Sequence, residues 1–351
     1  MPPPKPTQHV NPLLPQKSKK EQNPEYYLEG IRAGNRFILS ECITLLESTR
    51  PEKRALAENI LEQFKEDNST IRIGITGTPG VGKSTFIEAL GMFLIKQGHH
   101  PAVLAIDPSS THSKGSILGD KTRMARLSGR DEAYIRPTPS GAILGGTALY
   151  TKDTIRLCEA AGFDVVLVET VGVGQSETEV NHITDVNLLL LQPGAGDDIQ
   201  GIKRGIMENA DIFIINKADG PQLELAKQAK RAYRNALQLF HHEMEEWKSP
   251  IILVSSVQDY GMEEVYQAIQ DYKKLLIDKS IFEGRRREQD MRWFSMKSRD
   301  VMENIILGSS AFSTMYAQLK EDVLHQKTTI SAALDRMRSV LSSLIEKSNK
   351  K

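Results

Sequence analysis

The octapeptide at residues 77–84 constrains this chain more than any other feature. It reads GTPGVGKS, follows the apolar run IRIGIT at residues 71–76 and opens an amphipathic stretch near Lys83. The pattern G-x-x-x-x-G-K-[ST] is matched in full. Its glycines let successive backbone N–H groups turn toward the phosphates of a nucleotide, and the start of the following helix adds partial positive charge. The pattern therefore predicts a strand, a phosphate-binding loop and a helix, in that order.

The side chains of this loop predict how the phosphates are held. We expect Lys83 to reach the β- and γ-phosphates and Ser84 to coordinate Mg²⁺. A glycine-rich turn can also join a strand to a helix without a ligand, but the Lys-Ser pair and the flanking elements argue against that alternative. The predicted nucleotide contacts of the loop are Gly80, Val81, Gly82, Lys83, Ser84 and Thr85.

Short apolar runs alternate with amphipathic helical patterns between residues 71 and 274. Continuous apolar strands separated by helices favour a parallel sheet covered on both faces. We therefore expect a doubly wound, mainly parallel α/β domain over residues 69–277. Its predicted strands are residues 71–76, 102–106, 164–169, 185–192, 211–216 and 251–256.

The segments outside this domain differ from it in composition. Residues 1–22 are rich in Pro and Lys, so we expect a flexible tail. Residues 23–68 carry apolar residues at helical spacing and predict a helical N-terminal extension. Residues 278–351 are charged and helical, and their apolar residues need a covering surface, for which a second copy of the chain is the simplest candidate. Those residues are Trp293, Phe294, Ile305, Ile306, Leu307, Phe312, Met315 and Leu319.

Charge and cysteine content argue against several classes of protein. The 45 Lys and Arg residues balance 45 Asp and Glu residues, so no global field attracts nucleic acid or an anionic membrane. Cys42 and Cys158 lie in helical patterns and predict buried thiols, with neither a disulfide framework nor a metal pair. No run approaches the ~20 apolar residues of a membrane span, and no apolar signal core begins the chain, so we expect a cytoplasmic protein.

A second motif indicates which base is bound. Residues 216–219 read NKAD at the end of a predicted strand, at the edge of the sheet where ligands of open α/β folds bind. The carboxylate of Asp219 can accept two hydrogen bonds from guanine N1–H and its exocyclic amine, whereas adenine offers no such donor pair. Although the tetrapeptide also occurs by chance in loops, its position favours guanine. The predicted guanine contacts are Asn216, Lys217 and Asp219, with backbone N–H groups of Ser255, Ser256 and Val257 toward O6.

Three acidic residues end or follow predicted strands at the same edge, namely Asp107, Asp120 and Glu169. Mg²⁺ prefers hard oxygen ligands and keeps several waters. Once these waters are counted, Mg²⁺ has too few coordination positions left for three carboxylates, Ser84 and two phosphates. We therefore expect some of the carboxylates to act through water. Glu169 precedes Gly172, whose N–H is expected to sense the γ-phosphate. The sequence thus predicts Ser84, Asp107, Asp120 and Glu169 as the metal set.

The hydrolytic step has several candidate residues. Lys83, Asp107 and Glu169 are the predicted catalytic residues, and Asp107 can alternatively orient or deprotonate the attacking water. No glutamine is unambiguous as a water-positioning residue, although Gln175 is close in sequence. Arg123 is either an arginine finger acting in cis or part of a basic helix face.

Four segments together resemble the MeaB family of GTPases, which also carries the older ArgK label: AIDPSS, VETVGVGQSE, QPGAGDDIQGIKRGI and NKAD. The resemblance extends from about Asn35 to the C-terminus. It implies a Mg²⁺-dependent GTPase that gates cofactor loading of adenosylcobalamin-dependent methylmalonyl-CoA mutase and protects or reactivates that enzyme. It also implies a homodimer made through the C-terminal helical arm. Residues 192–203, with Asp197, Asp198 and Lys203, become an additional switch loop facing the mutase, although a plain surface loop is the alternative.

Three other functions stay open at this point. A transport-associated nucleotidase, the activity behind the ArgK label, needs a membrane partner, and the sequence shows no basic amphipathic helix. A GTP-dependent metallochaperone for nickel or zinc usually carries His-rich tracts, whereas the eight histidines here, including His99-His100 and His241-His242, lack ligand spacing. A scaffold that binds nucleotide without turnover is disfavoured by the intact phosphate and metal residues.

Overall fold

The structure is a computed structural model, and the residues that it describes are 23–48, 50–65, 69–107, 124–139, 146–170, 180–194, 204–238, 244 and 246–348. The predicted N-terminal tail therefore lies outside the described residues. The domain boundaries expected from the sequence stay a prediction.

A single seven-stranded sheet organises the described part of the chain. Its order is β3-β2-β4-β1-β5-β6-β7, and every pairing is parallel. Every residue of β1, β4, β5 and β6 is buried, which is why these strands read as nearly continuous apolar runs. The predicted parallel sheet is thus confirmed. The strands are β1 (Ile71–Gly77), β2 (Pro101–Asp107), β3 (Tyr134–Pro139), β4 (Val165–Thr170), β5 (Val186–Leu191), β6 (Ile212–Ile215) and β7 (Ile251–Leu253).

The direction of winding reverses at β1. Strands β4, β2 and β3 lie on one side of β1, and β5, β6 and β7 lie on the other. In open α/β sheets the ligand crevice lies outside the carboxyl ends of the strands at such a point. The loop at residues 77–84 begins at the carboxyl end of β1, so the fold places it in this crevice.

Helices cover both faces of the sheet. Alternate residues of β4 belong to different cores: Leu167 packs in the cluster that contains Phe86 and Ile269, and Val166 packs in the cluster that contains Ile155. The doubly wound arrangement expected from the sequence is therefore confirmed. The helices of this region are α4 (Lys83–Lys96), α5 (Ala125–Ser128), α6 (Gly146–Ala160), α7 (Arg204–Glu208), α8 (Leu223–Leu237) and α9 (Met262–Asp278).

Three helices precede the sheet, as the apolar spacing predicts: α1 (Pro24–Arg32), α2 (Arg36–Leu46) and α3 (Pro51–Glu62). Asn23 and Asn35 cap α1 and α2 by accepting hydrogen bonds from backbone N–H groups of their first turns. The buried faces of these helices join Val166 in the core on the α6 side of the sheet. Cys42 and Cys158 are free, buried thiols in that core, and burial raises the pKa of Cys42 to about 12.

The C-terminal region consists of α10 (Phe282–Gly308), α11 (Ser310–Leu324) and α12 (Ile330–Ser348). Arg286 is buried and anchors α10, because its guanidinium donates to both carboxylate oxygens of Asp185 at 3.0 and 2.7 Å and to the carbonyl of Thr70 at 2.8 Å. Gln289 adds a bond to the carbonyl of Thr184 at 2.7 Å. The first half of α10 is thereby fixed to the amino-terminal edge of the sheet.

The rest of this arm carries the apolar residues expected from the sequence. Phe294 is 61% exposed and Ile305 is 70% exposed, so both remain available to a partner surface. Phe312 and Leu319 are instead buried by the chain itself, which corrects the expectation that they need a second copy. None of the helices in the described ranges combines the length and apolar character that crossing a bilayer requires.

Candidate functional site

The loop between β1 and α4 is held in a shape that requires glycine. Gly82 has a φ of 93°, and a Cβ atom there would lie 2.8 Å from Nδ2 of Asn216. A Cβ atom on Gly77 would lie 2.7 Å from the carbonyl oxygen of Leu190. Larger residues at either position would push the loop away from β5 and from the NKAD segment.

Lys83, the first residue of α4, folds back over this loop. Its side chain is buried, and Nζ donates to the carbonyl oxygens of Gly77 at 2.7 Å and Thr78 at 3.3 Å. Carbonyls are neutral acceptors, so anionic phosphate oxygens compete strongly for the same ammonium group. The loop therefore holds a buried positive charge where the phosphate-binding motif predicts one.

Ser84 and Glu169 meet at the carboxyl edge of the sheet. Ser84 Oγ donates to Oε1 of Glu169 at 3.1 Å, and Glu169 is 4% exposed. Strand β4, which carries Glu169, lies between β1 and β2, and Asp107 is the last residue of β2. The backbone thus brings Asp107 to the same edge; its side chain is not among those described.

These oxygen atoms have the chemistry that Mg²⁺ prefers, namely a hydroxyl and a carboxylate beside the loop that the phosphate-binding motif forms. Within the described ranges, no group of three or more His, Cys, Asp or Glu side chains is placed to hold a metal ion. Of the four predicted metal ligands, Ser84 and Glu169 are the two whose side chains the structure describes. Asp120 lies outside the described residues, as do Gly172, Arg123, Gln175 and residues 195–203, so their roles stay predictions.

Asn216 and Lys217 contact the phosphate loop directly. Asn216 is buried, donates from Nδ2 to the carbonyl of Val81 at 2.9 Å, and accepts from the hydroxyl of Ser256 at 2.7 Å. Lys217 has a φ of 60° and donates to the carbonyl of Gly80 at 2.7 Å. The sequence predicts these two residues as guanine contacts, and the structure places their side chains on the loop.

Asp219 is the last residue of the same NKAD segment. The hydroxyl of Ser255 donates to its carboxylate, and the backbone N–H of Ala218 bonds to the carbonyl of Val254 at 2.9 Å. Val257 is 79% exposed beside this pair. The two segments predicted to recognise the base are thus joined by hydrogen bonds at the carboxyl ends of β6 and β7.

One further contact at this edge has no counterpart in the sequence analysis. Arg126 of α5 donates to both carboxylate oxygens of Asp259 at 3.2 and 2.9 Å, which ties α5 to the loop that carries Ser255. Arg126 and Asp259 are 133 positions apart, and no local pattern reveals such a pair.

This combination defines a class of proteins. A parallel sheet that reverses at the loop strand, Lys83 and Ser84 on that loop, and an NKAD segment hydrogen-bonded to it are the features of a P-loop GTPase. The chain belongs to the MeaB family: the family described as "Methylmalonyl Co-A mutase-associated GTPase MeaB" matches residues 39–310.

Relatives from distant organisms agree with this assignment. A probable GTPase of Mycobacterium tuberculosis is 43% identical over 311 residues, which is 88% of this chain and 93% of the relative. GTPase ArgK of Escherichia coli is 41% identical over 303 residues, 85% of this chain and 92% of ArgK. The mitochondrial "Methylmalonic aciduria type A homolog" of Mus musculus is 39% identical over 323 residues, 88% of this chain and 76% of that protein.

A solved structure also matches the fold. The crystal structure of an LAO/AO transport system kinase superposes with a TM-score of 0.69 at 33% sequence identity. The match covers 92% of this chain and 99% of that one, so the similarity extends beyond the nucleotide-binding sheet.

Proposed function

We propose that this chain hydrolyses GTP with Mg²⁺ and uses the cycle to control an adenosylcobalamin-dependent methylmalonyl-CoA mutase, by gating cofactor loading and by protecting or reactivating that enzyme. The observation that carries the GTPase part is the hydrogen-bonded contact between two motifs: Asn216 and Lys217 of NKAD bond to the carbonyls of Val81 and Gly80 in the phosphate loop. The family description, which names a methylmalonyl-CoA mutase-associated GTPase, supports the mutase as the partner.

Lys83 binds the phosphates and stabilises their negative charge. Its ammonium leaves the carbonyls of Gly77 and Thr78 for phosphate oxygens, and its charge stabilises the negative charge that grows on the β–γ bridge during transfer. The N-terminal end of α4 and the backbone N–H groups of the loop add to the same field. The Lys83 ammonium exchanges its hydrogen bonds when the nucleotide binds, and the other groups are already on the loop, so little reorganisation accompanies the later hydrolysis step.

Ser84 and Glu169 are proposed as the metal ligands. Both would hold Mg²⁺, Ser84 through its hydroxyl and Glu169 directly or through water, and the ion supplies charge neutralisation at the phosphates. Asp107 is proposed to join this set or to orient the attacking water, since its backbone ends the neighbouring strand. Asp120 and Gly172 complete the proposal as a further metal-linked acid and as the γ-phosphate sensor.

Asp219 distinguishes guanine from adenine. Its carboxylate, supported by the hydroxyl of Ser255, accepts from the two donors on the guanine edge, which adenine lacks. Backbone N–H groups of Ser256 and Val257 are proposed to contact O6.

The arm formed by α10, α11 and α12 is proposed to make a homodimer. The exposed Phe294, Val301, Met302 and Ile305 on α10 give it the apolar surface that an interface core requires. Residues 192–203 are proposed as the switch loop that communicates with the mutase, and the cytoplasm as the site of action.

A second candidate is a transport-associated nucleotidase. It is favoured by one comparison, the likeness to the LAO/AO transport system kinase. Both candidates predict nucleotide hydrolysis, and they differ in the partner that stimulates it.

The experiment measures hydrolysis of GTP and of ATP by the purified full-length chain with Mg²⁺, each with and without an adenosylcobalamin-dependent methylmalonyl-CoA mutase. GTP-selective turnover that rises when the mutase is added supports the proposal. GTP turnover that the mutase leaves unchanged refutes the partner and retains the GTPase, whereas absence of turnover, or equal turnover of ATP, refutes the GTPase. Lys83→Ala serves as the inactive control, because it removes the phosphate-binding ammonium.

A further inference from the structure

A cavity of about 810 Å³ lies at the edge of the sheet opposite the phosphate loop. Its floor includes Phe213 of β6 and Ile251 of β7, near the amino ends of these strands. The NKAD segment follows β6 at the other end, so the length of that strand, roughly 10 Å, separates the two sites. The volume falls in the range of ~300–1,000 Å³ that is usual for small-molecule sites.

The walls of the cavity combine apolar and cationic side chains. Lys230, Arg234 and Leu237 come from α8 at spacings of four and three residues, so they share one face of the helix. Met244, Trp247 and Lys248 line the cavity from the segment that precedes β7. A lining that combines apolar and cationic side chains suits a ligand with an apolar body and an anionic head.

The described lining of the cavity carries more positive than negative charge. Among the described lining residues, three are cations, Lys230, Arg234 and Lys248, and one is a carboxylate, Glu208. Among the described residues no ion pair engages any of the three cations. Burial, followed by the charge of Arg234, lowers the pKa of Lys230, as expected for a partly buried ammonium group beside a second cation.

The apolar wall is held in place independently of any ligand. Nε1 of Trp247 donates to the carbonyl of Asp211 at 2.8 Å, and its ring centroid lies 4.8 Å from that of Tyr272. The indole is therefore fixed by the core and does not need to reorganise when the cavity is filled.

We propose that this cavity is a second binding site, separate from the nucleotide site, for a small organic anion with an apolar body and a carboxylate or phosphate head. Phe213, Trp247 and Leu237 contact the body, and Lys230, Arg234 and Lys248 bind the head. The nucleotide residues take no part in this site.

The test uses 1-anilinonaphthalene-8-sulfonate as an anionic aromatic probe and N-phenyl-1-naphthylamine as its neutral counterpart. The chain has two tryptophans, so Trp293→Phe in the full-length protein leaves Trp247 as the only indole. We expect the sulfonate to quench Trp247 emission by energy transfer, and the neutral compound to bind at least about tenfold more weakly, the loss that corresponds to one charge-assisted hydrogen bond. Equal binding of the two probes overturns the proposal.

Paired charge variants locate the site. Lys230→Ala with Arg234→Ala removes two of the lining cations, and Lys227→Ala with Arg231→Ala removes two cations of the same helix that do not line the cavity. We expect the first pair to weaken sulfonate binding at least about tenfold and the second pair to change it less than about twofold. GTP binding, measured in parallel, verifies that each variant is folded. Equal effects of the two pairs would assign the probe to another surface and overturn the proposal.

Competition then distinguishes the possible head groups. Dodecanoate or dodecyl phosphate should displace the sulfonate from the Trp247 site, and the stronger of the two identifies the preferred head. Dodecanol shares the apolar chain without the charge and should displace it poorly. Displacement by dodecanol at the same concentration as the anions would refute the role of the cations.

Discussion

Substitution of Asn216 by alanine tests whether the guanine motif holds the phosphate loop in place before any nucleotide binds. The amide of Asn216 bonds to the carbonyl of Val81 at 2.9 Å and to the hydroxyl of Ser256 at 2.7 Å. Asn216 is only 2% exposed, so alanine leaves two buried polar groups without their partner. We therefore expect the nucleotide-free protein to lose stability.

The magnitude follows from the two lost bonds. A buried polar group left unsatisfied costs ~1–3 kcal/mol, and water entering the vacated space recovers part of that, so we expect about 3 kcal/mol for the pair. In a domain of ~150–250 residues each kcal/mol lowers the Tm by about 2–4 °C. The Asn216→Ala variant should thus melt about 6–12 °C below the parent protein.

Lys217→Ala is the matched control. It is the next residue and also donates to a loop carbonyl, that of Gly80 at 2.7 Å, but this bond is solvent-exposed, so its loss costs less than about 1 kcal/mol. Differential scanning fluorimetry on protein freed of nucleotide compares the two variants. Equal melting temperatures for both variants would contradict the reasoning, because burial of the Asn216 bonds is what separates them.

Three other changes have outcomes that follow from the described contacts. Asp219→Asn replaces an acceptor by an amide that can donate to O2 of xanthine, so the ratio of GTP to XTP affinity should fall roughly tenfold or more; nucleotide competition measures it, and retained preference for GTP contradicts the role of Asp219. Arg286→Met leaves Asp185 buried without its guanidinium and should cost ~3–5 kcal/mol in urea unfolding, with Arg286→Lys as the milder control; a loss below about 1 kcal/mol refutes the anchoring role of the pair. Burial, followed by the charge of Arg292, lowers the pKa of His182 below 6.5, so the unfolded chain binds the proton more readily and stability falls as pH drops below about 6.5. His182→Gln should therefore shrink the Tm difference between about pH 7.5 and about pH 5.5, and an unchanged difference would rule out His182 as its source.

Most of the sheet is predictable from the sequence because its strands are buried on both faces. Strands β1, β2, β4, β5, β6 and β7 all overlap apolar runs that the sequence analysis identifies. Strand β3 is absent from that prediction. It reads YIRPTP, and its prolines and Arg136 hide the apolar pattern. As an edge strand it pairs only with β2, and an edge position tolerates residues that cannot donate to a ladder.

The C-terminal arm shows a different limit. Helical spacing identifies its apolar residues but not which of them the chain covers itself. Phe312 and Leu319 are buried by neighbouring helices, whereas Phe294 and Ile305 are exposed. That division depends on how α10, α11 and α12 pack against one another, and helical periodicity carries no information about such packing.

At the carboxyl edge of the sheet, the sequence motifs predict which residues form the candidate nucleotide site, and the structure shows the hydrogen bonds between them. The peptide between Val81 and Gly82 is planar and trans, so its carbonyl and its N–H point in opposite directions. Asn216 holds the carbonyl of Val81 at 2.9 Å, and this directs the N–H of Gly82 to the other side of the loop, where we propose that the phosphates bind. If Asn216 acts through this bond to the loop, Asn216→Ala should weaken GTP and ATP binding by a similar factor, whereas direct contact with guanine, as the sequence predicts, would make the loss selective for GTP. Asp219→Asn should change their ratio instead. Titration of each variant with both nucleotides separates the two roles, and a selective loss of GTP in Asn216→Ala would place Asn216 at the base.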